Sequence, residues 1–135
     1  MCLTHHGGEK FAVQIAKKDI VTFKMMHRKD NKSWCQSFRY APDTLYRLRK
    51  ALKPSYVRDE TNLRYDEGFH SWVAQPSFWS NPTHGKMVKV VIPKGAKYVL
   101  GEDGSGRPCY VSTSLRTGSL KKIKFLPFTP PYDSY

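Results

Sequence analysis

The chain has 135 residues, about the length of one domain, and 39% of them are apolar, slightly fewer than in a typical soluble protein. Lys and Arg total 23 while Asp and Glu total 11, which gives a formal charge of +12, and 13% of the residues are aromatic. These values exclude a disordered chain, a long coiled coil and a secreted disulfide scaffold, and the lack of an apolar run of about 18 residues predicts no transmembrane helix.

The beginning of the chain and its cysteines indicate where the protein acts. Residues 1–9 are predicted to form a loose tail, and they lack the apolar stretch of a signal peptide. The cysteines Cys2, Cys35 and Cys109 are odd in number, and no two of them form a CxxC pair. We therefore expect free thiols in a reducing cytoplasm rather than disulfides.

The first third of the chain has the pattern of a β-hairpin. Residues 19–26 are β-branched and aromatic with partial alternation, which predicts a strand. Residues 27–32 are polar and contain Asp-Asn, which favours a turn, and residues 34–40 are predicted to return as a second strand.

Residues 42–54 are ambiguous between helix and strand. Pro42 and Asp43 are typical of a helix start, Leu45, Leu48 and Leu52 recur at helical spacing, and Pro54 would end the helix. Residues 45–48 also alternate as a short strand would, and we favour the helix. Residues 55–67 are polar and are predicted to form a loop.

In the second half of the chain, the residue pattern predicts further strands at 68–73, 87–92, 97–100, 110–112 and 120–125. Residues 75–85 and 101–106 are predicted as a loop and a turn, Pro93-Lys94-Gly95 as a turn, and residues 127–135 as an extended tail. We therefore predict a single α+β domain over residues 1–135, mainly β, with a twisted antiparallel sheet and one or two short helices.

The segment after the predicted strand 110–112 has the chemistry of a phosphate site. Five hydroxyl side chains and one arginine lie within residues 112–119, and two lysines follow closely. Hydroxyls, guanidinium groups and ammonium groups hold phosphate oxygens, although a strand end with a Ser/Thr turn has the same composition. The candidate phosphate ligands are Arg116, Ser112, Ser114, Lys121 and Lys122.

Aromatic and histidine side chains supply further candidates. Trp79 or Trp72 would stack on a base, and His70 would orient a phosphate or act as a general acid or base. The alternatives are that Trp72 belongs to the core and that His70 is a hydrogen-bonded strand histidine. We find no catalytic set and no cofactor or metal motif, so we expect a non-enzymatic protein without cofactor or metal.

Several short motifs resemble a family of small uncharacterised proteins from bacteriophages and their bacterial hosts. They are Met-Cys-Leu at 1–3, IAKKDIVTFK at 15–24, EGFHSW at 67–72, and VIPKGAKY at 91–98 with YVS at 110–112. The resemblance implies a phage accessory protein in the host cytoplasm.

A second resemblance concerns the strand order of ADP-ribosyltransferases, to which GFHS at 68–71 and IPKG at 92–95 are similar. Those enzymes carry a Ser-Thr-Ser strand and a later Glu-x-Glu motif. Here Ser-Thr-Ser at 112–114 follows the Pro-Lys-Gly turn instead of preceding it, and Glu-x-Glu does not occur. These departures argue against transferase activity, whereas a shared sheet remains compatible with nucleotide binding.

Charge and candidate residues together predict a protein that binds a phosphate-bearing anionic ligand, with a host nucleotide immune signal as one target. One alternative is sequence-tolerant nucleic-acid binding. Another is an inhibitor that docks on an acidic host protein, with exposed aromatics as anchors and Arg47 or Arg49 as rim charges. We expect no membrane partner, and the oligomeric state stays open.

Overall fold

The fold is that of a computed structural model, which describes residues 3–6, 13–33, 38–54, 56–59, 62–65, 67–74, 85–103, 106–121 and 123. Strands dominate this part of the chain, and no helix occurs in it. The strands are β1 Leu3–His6, β2 Gln14–Ile15, β3 Ile20–His27, β4 Leu45–Arg47, β5 Tyr56–Asp59, β6 Asn62–Tyr65, β7 Phe69–Trp72, β8 Gly85–Ile92, β9 Lys97–Glu102, β10 Pro108–Ser112 and β11 Ser114–Thr117.

All these strands belong to one antiparallel sheet in the order β4-β11-β8-β3-β7-β10-β9-β1-β6-β5, and β2 pairs with β9. The longest pairing joins β3 and β8, in register from Ile20 opposite Ile92 to His27 opposite Gly85. β-branched residues along both strands favour this extended pairing. The prediction of a single, mainly β domain with an antiparallel sheet is thereby confirmed.

The sheet carries apolar side chains on both faces near its centre. Met25 and Met26 are adjacent in β3 and both are buried, yet they belong to different core clusters. Successive strand residues point to opposite faces, so β3 contributes to both clusters. Met26 packs with a cluster containing Val88 and Val90, whereas Met25 packs with one containing Trp72.

The helix predicted at 42–54 is wrong. Leu45–Arg47 form the strand β4, and a short strand was the alternative for this segment. Tyr46 pairs with Leu115 of β11, and its hydroxyl accepts a hydrogen bond from the Ala41 N–H at 2.6 Å. Asp43 has φ of 51°, which lies outside the right-handed helical region. Pairing with a distant strand thus outweighs the helical spacing of the leucines.

Other predicted elements need correction as well. The predicted loop at 55–67 contains β5 and β6, and the predicted tail at 1–9 contains β1. No strand was predicted at Ser114–Thr117, where β11 forms. β1 is a strand because residues 3–6 pair with residues 62–65 of β6. No strand forms at the described residues of the predicted strand 120–125.

The strands predicted at 19–26, 68–73, 87–92, 97–100 and 110–112 match β3, β7, β8, β9 and β10. The predictions for residues 34–37, 75–84 and 127–135 lie outside the described residues, as do Cys2 and Cys35. Cys109 is a buried free thiol in β10. Within the described ranges there is no helix long and apolar enough to cross a membrane.

Gly68, which precedes β7, offers a direct test of the packing. Its φ is +119°, and a Cβ there would lie 2.6 Å from Val111 Cγ1 and 3.3 Å from the Ser112 carbonyl oxygen. We expect Gly68→Ala to lower the free energy of unfolding by about 2–4 kcal/mol, since both strain and overpacking result. Denaturant-induced unfolding measures this change.

Gly118→Ala is the matched control, because a Cβ at Gly118 would meet nothing within 4 Å. This variant is expected to stay within about 1 kcal/mol of the original protein. Equal stability of the two variants would show that the close approach at Gly68 does not exist.

Candidate anion-binding cleft

A surface cleft of about 530 Å³ forms where three stretches of chain meet. Residues 47–51 begin at the end of β4, residues 93–97 form the turn from β8 into β9, and Thr113 and Ser114 lie where β10 passes into β11. The volume lies within the range of roughly 300–1,000 Å³ typical of small-ligand pockets. The cleft is therefore large enough for a small molecule.

Thr113 connects the other two stretches. Its N–H donates to the Lys97 carbonyl at 2.9 Å, and its carbonyl accepts the Leu48 N–H at 2.7 Å. Its hydroxyl oxygen also accepts the Lys97 N–H at 3.2 Å. The segment after β4 and the turn before β9 are thus both fixed to one residue.

The 93–97 turn is held by its own backbone and by the chain before β3. The Ala96 N–H donates to the Pro93 carbonyl at 3.1 Å, which closes the turn. Gly95 adopts φ of 89°, a conformation that favours glycine, and its N–H donates to the Ala16 carbonyl at 2.8 Å. Both lysines of the turn therefore project from a fixed backbone.

Five cationic side chains line the cleft and all are exposed: Arg47, Arg49, Lys50, Lys94 and Lys97. Among the described lining residues there is no Asp or Glu. None of the five forms an ion pair with an acidic side chain of the described chain. Such a group of cations produces a positive potential that attracts anions.

These residues have the chemistry of a phosphate site. An arginine fork binds two phosphate oxygens at once, and lysines act as mobile point charges. Ser114 adds a hydroxyl group to the lining, whereas the Thr113 hydroxyl donates to the Lys97 carbonyl at 3.3 Å. No group of three or more His, Cys, Asp or Glu side chains suited to a metal ion occurs in the described ranges.

Two of the predicted phosphate ligands lie at this cleft, Ser114 in its lining and Ser112 behind the lining in contact with Ser114. Ser114 lines the cleft and stands opposite Arg47 in the pairing of β11 with β4. Ser112 is fully buried, and its hydroxyl donates to the Ser114 carbonyl at 2.9 Å. Ser112 is therefore a support for the lining rather than the ligand contact we predicted.

The predicted cations near the end of the chain are not part of the described lining. Arg116 is exposed, and its guanidinium lies 2.9 Å from the Asp19 carboxylate. Lys121 is exposed beyond β11. Lys122 and Trp79 lie outside the described residues.

Trp72 and His70 are core residues of β7, which corrects their predicted contact with a ligand. Trp72 is 2% exposed, and its Nε1–H donates to Asp103 Oδ2 at 2.9 Å. His70 is 5% exposed, and its carbonyl accepts the Lys24 ammonium at 2.6 Å. Burial leaves neither ring able to meet a ligand on the surface, and Trp72 belongs to the core as its alternative interpretation predicted.

Sequence reasoning did not include Lys50, Lys94 and Lys97, which line the cleft, among the candidate ligands, and it treated Arg47 and Arg49 only as rim charges. The signal was present, because cations occur in close succession at 47–50 and again on both sides of Gly95. The spacing could not show that β4 pairs with β11, and this pairing brings the two groups together.

Asp19 places a negative charge beside the cleft. Its Oδ1 accepts the Lys94 N–H at 2.9 Å, while Oδ2 pairs with Arg116. The Arg116 hydrogen bond, followed by that of Lys94, lowers the pKa of Asp19 below its ordinary value of 3.8. The pair therefore persists above that value and is lost as the pH falls through the lowered pKa.

Neutralising Asp19 should strengthen anion binding. Asp19→Asn keeps an oxygen that can accept the Lys94 N–H, removes a negative charge and releases Arg116. We expect binding of inorganic pyrophosphate to tighten about twofold to fivefold, as for other exposed charges. Isothermal titration calorimetry at low ionic strength measures this change.

Asp30→Asn is the matched control. Asp30 is also paired with an arginine, Arg39. Asp30 follows the last residue of β3, whereas Asp19 precedes the first residue of that strand. The net charge changes equally, so we expect little change in affinity for this variant. Weaker binding by Asp19→Asn, or equal gains in both variants, would contradict a local effect at the cleft.

Comparison with known proteins identifies no relatives. No protein-family model matches the chain, and the curated proteins and solved structures give no match either. The two resemblances drawn from short motifs stay predictions, and the function is argued from the cleft.

Proposed function

We propose that the protein binds a phosphate-bearing anion in the cleft formed by residues 47–51, residues 93–97 and Thr113–Ser114. The observation that carries the proposal is the grouping of five exposed cations without an acidic neighbour among the described lining residues. Surface cations elsewhere keep a basic protein soluble, but solubility does not require them to share one concavity. Arginine, lysine and hydroxyl groups together donate the hydrogen bonds that phosphate oxygens accept.

The proposal is one of binding rather than catalysis. The described lining supplies cations and hydroxyls, which suit the recognition of phosphate oxygens. Cys109 is 1% exposed in β10, and burial raises the pKa of its thiol, which opposes formation of a thiolate nucleophile.

The biological setting is a further part of the proposal. If the phage resemblance is correct, the protein is an accessory protein that sequesters an anionic host signal in the host cytoplasm. This part depends on the short motifs at 1–3, 15–24, 67–72, 91–98 and 110–112, whereas the binding site depends on the cleft alone.

Sequence-tolerant nucleic-acid binding is a second candidate. Lys17 and Lys18 are exposed and follow Ala16, whose backbone is hydrogen-bonded to Gly95 and Ala96 of the turn. Positive charge therefore continues beyond the cleft, as a nucleic-acid backbone would require. A nucleic acid would make many ionic contacts, so this candidate predicts that affinity falls steeply as the salt concentration rises. A small ligand would make only the ionic contacts of the cleft, so its affinity would fall less steeply.

Removing charge from the cleft tests the proposed site. We expect the triple variant Arg47→Gln, Lys94→Gln and Lys97→Gln to bind inorganic pyrophosphate at least about tenfold more weakly. This magnitude follows from about 0.5 kcal/mol for each exposed ionic contact. Calorimetric titration measures the loss, and an unchanged unfolding midpoint shows that the fold is retained.

The control variant removes the same charge elsewhere, by Lys29→Gln, Lys89→Gln and Lys121→Gln. All three lysines are exposed and none belongs to the described lining. Affinity in this control is expected to change by less than about threefold, because only the general field of the protein falls. Equal losses in the two triple variants would refute a specific site at the cleft.

A further inference from the structure

The cations of the cleft come from two separate stretches of backbone. Arg47, Arg49 and Lys50 belong to the first stretch, whereas Lys94 and Lys97 belong to the turn. Thr113 is hydrogen-bonded to both stretches, at Leu48 and at Lys97. A ligand that lies beside Thr113 is therefore approached by cations from both.

The number of charges in so small a volume restricts the ligand. Five like charges line about 530 Å³, and their mutual repulsion is relieved in proportion to the negative charge that enters. A single phosphate group neutralises only part of this charge. A chain of linked phosphates carries more charge and extends from one group of cations to the other.

The remaining lining offers little to a nucleobase. The apolar lining residues Leu48, Ala51, Pro93 and Ala96 are aliphatic, and no aromatic ring is among the described residues of the cleft. Base recognition without sequence preference relies on aromatic stacking. The lining therefore favours contact with the phosphates over contact with a base.

We propose that the cleft binds a linear chain of two or three phosphates through cations of both stretches, and that it does not distinguish the group attached to that chain. This inference rests on the proposed function and specifies its ligand class, which includes inorganic polyphosphates and the phosphate chains of nucleoside triphosphates. Ser114 lies opposite Arg47 in the pairing of β11 with β4, and both residues line the cleft.

Calorimetric titration of the full chain with orthophosphate, pyrophosphate and tripolyphosphate tests chain length. The titrations use EDTA and constant ionic strength, so that neither metal complexes nor screening differ among the ligands. We expect tripolyphosphate to bind at least about tenfold more tightly than orthophosphate. A smaller ratio would overturn the inference while leaving phosphate binding intact, whereas absence of binding by all three would overturn the proposed function itself.

A second titration series tests whether the attached group is recognised. It uses ATP, GTP, CTP, UTP and a cyclic dinucleotide. The two phosphates of the cyclic dinucleotide are not joined directly to each other by an anhydride bond. The four triphosphates are expected to bind within about tenfold of tripolyphosphate, and the cyclic dinucleotide no more tightly than tripolyphosphate. A nucleotide outside these limits would overturn the inference, as would a single-stranded oligonucleotide that binds more than about tenfold more tightly than tripolyphosphate.

Single substitutions test whether both stretches contact the ligand. Arg49→Gln and Lys97→Gln are each expected to weaken tripolyphosphate binding by at least about twofold, since each removes one charge contact worth about 0.5 kcal/mol. Lys121→Gln is the control, because Lys121 is exposed outside the described lining. If only one of the two cleft variants differs from this control, the ligand does not bridge the stretches and the inference fails.

Discussion

Thr113 makes the two backbone hydrogen bonds on which the cleft depends. Its N–H donates to Lys97 and its carbonyl accepts from Leu48, so two strongly basic stretches are fixed close together. Each such bond contributes about 0.5–1.5 kcal/mol, and the surrounding pairs of β4 with β11 and of β9 with β10 add to it. Backbone pairing therefore offsets the repulsion between cations that would otherwise separate them. An anion that enters the cleft meets a backbone that is already ordered, so the entropic cost of binding is confined to the exposed side chains.

Asp19 limits this repulsion from outside the lining. Its carboxylate accepts the Lys94 N–H and pairs with Arg116, so it fixes the turn and partly neutralises one cation of β11. Both groups are about half exposed, and such pairs contribute little to stability in water. The effect of Asp19 on the field at the cleft is therefore expected to exceed its effect on folding. Arg116 was the central residue of the sequence-based hypothesis, and the structure assigns it this balancing contact instead.

The sequence predicted the parts of the fold that local chemistry determines. β3 and β8 are rich in β-branched and apolar residues, and Gly95 marks the turn that follows β8. β4 was missed because Leu45, Leu48 and Leu52 fit a helix, while its partner β11 lies about half the chain away. The predicted site differs from the lining of the cleft for the same reason. Hydroxyl content drew attention to residues 112–119, of which only Thr113 and Ser114 line the cleft, and the cations that join them there come from two distant stretches.

The central claim concerns where an anion binds, and backbone amide NMR measures this residue by residue. On titration with tripolyphosphate, we predict that the largest chemical-shift changes occur at residues 47–51, 94–97 and 113–114. Smaller changes are expected at Ala16 and Asp19, which are hydrogen-bonded to the turn. The account is contradicted if the largest changes fall instead on residues 116–121 or on β7, or if they spread evenly over the basic surface.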